Sequence, residues 1–529
     1  MTLSVAATSS DGSPLTYQWF KGTQAVLGAT ADTYTPAVMP FSLTPISNLY
    51  SVTVTNGTGS TPSQAAQVAL GSLRSWREVG PVDGANPTND GPFTVIADAT
   101  GRTHIISSYT EAGVTRLRVT EFSADDDTDT NWNCCGVSFA MGGMPGAGSI
   151  TSVRAAAAPG GTLFITWDEV QSTPLSGTTG RVVRAAVYQP PPANMPRARG
   201  TWTGLGNVSD PTQEGSAPAV APLGPGAYEI AWLERSTAAS VRSGYARRYT
   251  VPAMGSPTAQ TFTAVEGFES TNDPVNGPLT LVSSNGATWV AFYLANSATP
   301  RWQANHRPAG TLWTPGAPSD IAVASGFAKI LSAVNTNGVA LLATATTTGL
   351  PGRLYVRRLN VVTGAWLDTA WTYSANAYGS DPALLIDDAG RCDIFGVYVE
   401  TNVGYTSQLI HWTRPPAGAW VSRGALVNNT GNFSTGDGLK TPVAGRDAAG
   451  NLVLGFTNRV PGGLRASRSL RYSAASDTWS ALADIVPLTS TGIMAQEGLG
   501  LAVSSNGAAT AVVGRPDSGA TSLYRARLR

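Results

Sequence analysis

The chain has 529 residues, 13% of them charged, with 34 Lys and Arg against 34 Asp and Glu, 42% hydrophobic residues, 58 Gly and 35 Pro. Zero net charge without a basic run argues against nucleic acid as a partner, because neutralising phosphates needs a basic face. No apolar run reaches the ~18–20 residues of a membrane-crossing helix, so membrane insertion is not expected. So much Gly and Pro interrupts long helices, while 14 Trp and the apolar content are too high for a disordered chain. The composition predicts an all-β protein with many turns, and its wealth of Ser, Thr, Gly and Ala is that of an exported protein, extracellular or at a cell surface.

Residues 1–71 alternate apolar and polar positions in short runs broken at Asp11 and Gly12, Lys21 and Gly22, and Asn56 and Gly57, which predicts strands joined by tight turns. Leu15 to Gly22, with Trp19, then Thr33 to Thr35, then Tyr50 to Asn56, resemble the immunoglobulin-like modules of bacterial surface proteins. That resemblance implies a β-sandwich in which Trp19 is the buried strand tryptophan and Tyr50 the corner tyrosine. Val52 stands where antibody domains carry a cysteine, so apolar contacts replace the inter-sheet disulfide. By the same resemblance Leu3 to Thr8 matches a second strand and the first is missing. Either the natural chain extends further, or a partner molecule supplies the strand, which would allow self-association through the open edge.

Residues 72–529 carry a repeat. Aromatic residues recur at Trp76, Trp132, Trp202, Phe262, Trp313, Trp366, Trp420 and Trp479. In the same phase, turn residues recur at Asp98 to Gly101, Pro159 to Gly161, Gly224 to Gly226, Asn285 and Gly286, Asn335 to Gly338, Asp387 to Gly390, Asp447 to Gly450, and Ser505 to Gly507. Each turn separates two strand-like runs, a third run follows, and the aromatic marker opens a fourth. Eight units of roughly 57 residues with four strands each predict an eight-bladed β-propeller, with seven blades as the alternative because the unit from Trp202 to Phe262 has blurred boundaries. The last unit ends on a third strand, Leu523 to Leu528. Its missing fourth is Leu73 to Val79, so the N-terminal strand is expected to close the last blade.

The second strands end in an aromatic residue followed two positions later by an acid: Tyr109 and Glu111, Trp167 and Glu169, Trp232 and Glu234, and Tyr398 and Glu400, with Tyr293 at the matching place in a fifth unit. Residues two apart share one side of a strand. Aromatic faces beside carboxylates suit sugar C–H faces and hydroxyls, which makes these nine residues the ligand-binding candidates. The competing reading is structural: the aromatics fill seams between blades and the acids pair with third-strand arginines Arg116, Arg184, Arg247 and Arg248.

Asp90, Asp273, Asp381 and Asp437 precede first strands, where a ring of carboxylates would hold a hard cation such as Ca²⁺; turn capping is the competing reading. Asp125, Asp127 and Asp129 alternate as in a calcium loop but lack its glycine and distal glutamate. No other cofactor is implied. His104, His306 and His411 fall in different units, and no nucleophile-elbow, zinc or phosphate-loop signature occurs. Residues 475–479 and 363–366 approach the aspartate box of sialidases without its full spacing. Adjacent Cys134 and Cys135 resemble the cysteine pair of eight-bladed quinoprotein dehydrogenases, but the repeated docking motif of that family is absent. The functional expectation is a binding or adhesion protein that recognises a glycan or a surface protein through one propeller face. A polysaccharide lyase or glycosidase using Glu169, Glu234 or Glu400 as acid and base, and a structural subunit of an extracellular assembly, are the alternatives.

Overall fold

The computed structural model describes residues 2–35, 47–69, 76–81, 92–111, 114–122, 137–139, 150–170, 180–191, 200–235, 242–252, 262–269, 275–294, 301–314, 319–323, 328–346, 352–375, 377–378, 382–400, 406–429, 439–459, 465–486, 498–504, 507–517 and 520–528. Among these residues every regular element is a strand, and the strands form antiparallel sheets. No helix of the described residues is long and apolar enough to cross a membrane.

The N-terminal residues form two small sheets. One joins Gln24–Ala25, Thr16–Lys21, Ser47–Asn56 and Gly59–Pro62, with Ala66–Ala69 also pairing Ser47–Asn56; the other pairs Leu3–Ser4 with Thr33–Tyr34. Leu3, Trp19, Ala29, Tyr50 and Val52 are buried together. Trp19 lies directly across from Val52 in the ladder, and its indole Nε1 donates to the Ala31 carbonyl at 2.9 Å. That bond satisfies the one polar atom of an otherwise apolar ring.

The remaining strands form eight sheets, I to VIII in chain order; VI and VII have five strands and the others four, and the order across each sheet follows the chain except for the fourth strand of VIII. Their first strands are Phe93–Ala97, Ile150–Ala157, Glu214–Gly224, Val275–Ser284, Ala328–Val334, Ala383–Ile386, Lys440–Arg446 and Leu499–Val503. Each first strand touches the first strand of the next sheet, and that of sheet VIII touches that of sheet I, so the series closes on itself. Sheet VIII contains three strands from the C-terminus, and its fourth is Trp76–Pro81, with Trp76 opposite Leu528. The strand expected to close the last sheet is therefore the one that does so. Sheet VI has an interrupted first strand, Ala377–Tyr378 and Ala383–Ile386, and sheet VII an interrupted fourth, Thr478–Trp479 and Ala483–Asp484.

The hairpins between first and second strands follow from local chemistry. Gly101, Gly226, Gly286, Gly338, Gly390, Gly450 and Gly507 all have φ between 65° and 83° or at 87°, a region that L side chains enter only with strain. Asp98, Asn335, Asp387 and Asp447 each accept the backbone N–H four residues on, at 2.8–3.0 Å, through the side-chain oxygen. The aromatic markers behave less uniformly than expected. Trp202 and Trp479 lie in fourth strands, whereas Phe262 and Trp366 hold the third strand through a single bridge and Trp313 precedes its fourth strand, Ser319–Val323. Their common feature is burial in seams: Trp313 with Phe268 and Phe292, Trp366 against Trp289, and Trp479 against Phe395. Trp132 lies outside the described residues.

Candidate functional site

The ligand-binding candidates fall into two groups. Trp167 and Trp232 are fully buried, Trp167 in the seam between sheets I and II and Trp232 between sheets II and III. Each indole Nε1 donates to the acid two residues on, Trp167 to Glu169 Oε2 and Trp232 to Glu234 Oε2, both at 2.8 Å. Glu169 also makes a 2.7 Å ion pair with Arg184, and Glu234 accepts the Asp210 N–H at 3.1 Å. Burial pushes both carboxyls above the usual carboxylate range, opposed by the indole bonds and, for Glu169, by Arg184. Tyr109 is buried with the Arg118 guanidinium 4.0 Å over its ring, and Tyr398 is half-buried against a seam with Tyr373 and Trp412. For Trp167 and Trp232 the described contacts are those of the structural reading, since a fully buried ring presents no platform to a sugar. The side chains of Glu111, Tyr293 and Glu400 lie outside the described residues, although their backbones are in strands.

Phe replacement of Trp232 separates the two roles. Phenylalanine removes the only side-chain donor to Glu234 among the described residues, so Trp232→Phe is expected to lower stability by about 1–3 kcal/mol at about pH 7. Without the indole bond the Glu234 pKa rises further, so the folded protein holds that proton more tightly than the unfolded chain. Stability then falls as pH rises through the range above the ordinary carboxylate value, and the deficit shrinks towards about pH 4. Denaturant midpoints at the two pH values check this; unchanged stability would return Trp232 to the binding candidates.

Asp90, Asp273, Asp381, Asp437, Asp125, Asp127 and Asp129, like Cys134 and Cys135, lie outside the described residues. Among the described residues no group of three or more His, Cys, Asp or Glu side chains is placed to hold a metal ion. The three histidines do not converge: His104 bonds Asp98 at 3.1 Å, His411 bonds Asp393 at 2.8 Å, and His306 bonds the Val361 carbonyl at 2.9 Å. Cys392 is a buried free thiol whose pKa burial raises to about 11.

A different set of polar residues does converge. A cavity of about 440 Å³ lies where sheets II and III meet at the end opposite their first hairpins, reaching Leu279 of sheet IV. Thr151, Ser152, Arg154, Asp168 and Arg181 of sheet II line it, with Glu214, Ser216, Ala217, Pro218, Leu233 and Arg242 of sheet III. Both first strands are irregular here. Pairing shifts between Ile150 and Ser152, and between Ser216 and Ala219, where Ala217 adopts φ 51° next to Pro218. Bulges of this kind re-aim side chains at the rim of a sheet, and proline, lacking an N–H, is tolerated where the ladder is already broken.

Asp168 occupies the first irregularity. Its carboxylate accepts Thr151 Oγ1 at 2.7 Å, the Ser152 N–H at 2.8 Å and Ser152 Oγ at 3.1 Å, and Arg181 Nη1 stands 3.5 Å away while donating to Thr151 Oγ1 at 3.0 Å. Glu214, also buried, is held by Arg235 at 2.5 Å and by Arg242 at 3.4 Å. Arg154, Arg181 and Arg242 against Asp168 and Glu214 leave one positive charge over among the lining residues. Leu233, Leu279 and Pro218 supply an apolar wall. The site can therefore take a ligand with both an apolar face and polar groups.

None of Asp168, Arg154, Arg181, Glu214 or Arg242 is among the residues singled out from the sequence. Asp168 sits between Trp167 and Glu169, and the alternation that places those two in the seam turns Asp168 the other way, toward the cavity. That parity was the available signal.

No protein-family model and no curated protein matches the chain. Among solved structures, the polysaccharide lyase Uly1 is similar at 10% identity and TM-score 0.39, covering 83% of this chain and 90% of that chain. The Hadza microbial sialidase Hz136 is similar at 12% identity and TM-score 0.37, covering 99% and 92%. The SapL1 lectin, in complex with alpha methyl fucoside, is similar at 11% identity and TM-score 0.32, covering 66% and 98%. Similarity of this degree assigns neither a family nor an activity to the chain.

Proposed function

We propose that this chain is an exported or cell-surface binding protein: an immunoglobulin-like sandwich (1–71) followed by an eight-bladed β-propeller (72–529) that recognises a glycan at the cavity between sheets II and III. The cavity carries this reading. It joins an apolar wall of Leu233, Leu279 and Pro218 to hydroxyls, carboxylates and guanidinium groups, the combination that a saccharide with C–H faces and hydroxyl edges requires. Asp168 and Glu214 are fixed by several bonds each, so the polar groups are positioned before a ligand arrives. The sandwich would serve as spacer or stalk.

The test is a panel of immobilised plant, algal and bacterial saccharides. Retention on at least one saccharide class, reduced by substitution of Asp168, is the expected outcome. Absence of binding to every class, together with ordered self-assembly in solution, would overturn the reading in favour of a structural subunit.

A further inference from the structure

The arginines around the cavity are not equivalent. Arg181 is tied to Asp168 and Thr151, and Arg242 to Glu214. Arg154 makes one hydrogen bond, from Nη1 to the carbonyl of its neighbour Val153 at 3.1 Å, and no carboxylate of the described residues lies within ion-pair distance of it. It stands on the first strand of sheet II, is exposed to solvent and lines the cavity. The surrounding protein costs this guanidinium hydration and draws its pKa below the ordinary value, against the opposing pull of Asp168.

Across the cavity a second group lacks a partner. The Ser216 hydroxyl oxygen is buried without a hydrogen bond among the described residues, and it lies at the irregularity where Ala217 takes its positive φ. Buried hydroxyls without partners are uncommon in native proteins, and each calls for an explanation such as a ligand atom or water. Among the described residues, the same cavity thus holds a guanidinium that feels Asp168 but makes no ion pair, a hydroxyl without a hydrogen bond, and one positive charge in excess.

We infer that Arg154 and Ser216 form a subsite for the oxyanion of an acidic saccharide, a carboxylate or a sulfate ester. The guanidinium fork matches two oxygens of either group, and the serine hydroxyl can donate to one of them. The sugar ring then lies toward Leu233, Leu279 and Pro218. This inference rests on the glycan reading above and narrows its substrate class.

The experiment is calorimetric titration of the full chain with size-matched neutral, uronate and sulfated oligosaccharides, using wild type, Arg154→Gln, Arg154→Lys and Ser216→Ala. Arg154 has no ion pair to lose among the described residues, and thermal unfolding verifies that each variant folds. Acidic oligosaccharides are expected to bind wild type more tightly than neutral ones. Arg154→Gln should weaken acidic binding ~10- to 100-fold, as expected for loss of a charge-assisted bond, and weaken neutral binding by a much smaller factor. Arg154→Lys should recover part of the loss, and affinity for acidic ligands should fall between about 50 and about 500 mM salt. Preference for uronate over sulfate, or the reverse, identifies the oxyanion. Neutral saccharides binding as tightly as acidic ones, or Arg154→Gln binding acidic ligands like wild type, would overturn the subsite and leave the glycan reading standing. No binding in any class overturns that reading itself.

Discussion

Glu229→Ala is expected to lower stability by about 3–5 kcal/mol, among the largest losses any single side chain of the described residues would cause. Glu229 is fully buried on the second strand of sheet III and accepts three donors: Arg248 Nε at 2.7 Å, Arg307 Nη1 at 2.8 Å and Trp313 Nε1 at 2.9 Å. Arg307 and Trp313 belong to sheet IV and its edge, so the carboxylate joins two sheets across their seam. Arg307 is only 3% exposed and keeps Glu266 as its remaining acidic partner when Glu229 is gone. Removing the acid leaves an under-compensated buried guanidinium and an indole N–H without an acceptor, and the cost comes from those orphans rather than from the intrinsic strength of the pair. Glu229→Gln retains the shape and one acceptor oxygen, so its loss should lie between those of wild type and Ala. Equilibrium denaturation of the three proteins measures this. Equal stabilities would mean that solvent reaches the seam and screens the charges.

The part of this fold that was legible in the sequence is the part governed by local chemistry. A reversing hairpin needs positive φ, which singles out Gly at Gly101, Gly338, Gly390 and Gly450 whatever surrounds it. The missing last strand was legible because Leu523 to Leu528 ends the chain as a third strand while Trp76 stands in the fourth-strand phase, and the two regions do pair. The aromatic and acid pairs were legible as a pattern but not as a role. Strand alternation shows that Trp167 and Glu169 share a side; which side meets a neighbouring sheet depends on how the sheets assemble, and Trp167 faces sheet I. The cavity depends on contacts between distant parts of the chain. Asp168 reaches back to Thr151, and Glu214 forward to Arg242, through irregular pairing that no local propensity announces. Arg154 carries no motif at all, and its significance lies in the counter-ion that the described neighbours do not provide.

Acid should unfold the wild-type protein partly through Asp393, and Asp393→Asn should remove that dependence. Asp393 is fully buried in sheet VI, bonded to His411 Nε2 at 2.8 Å and paired with Arg446 of sheet VII and with Arg391 at 3.5 Å. Burial alone would raise its pKa; the His411 bond and the two arginines outweigh burial and hold it below the ordinary carboxylate value. Between that depressed pKa and the ordinary value the unfolded chain binds the proton and the folded protein does not, so stability increases with pH across the window. The contribution is complete above about pH 4 and is lost as pH falls through the folded pKa. Asp98, bonded to His104 and to Thr100 in sheet I, is also depressed despite its burial and adds to the same slope. At about pH 7, Asp393→Asn leaves Arg446 facing a neutral amide across the seam and should cost about 3–5 kcal/mol. At about pH 3, below the ordinary carboxylate value, the unfolded wild-type chain binds the proton that the folded protein does not, so wild-type stability falls and the difference between the two proteins should shrink. Denaturant midpoints at both pH values provide the measurement; a constant difference would show that the carboxylate acts here through its shape and hydrogen bonds and not through its charge.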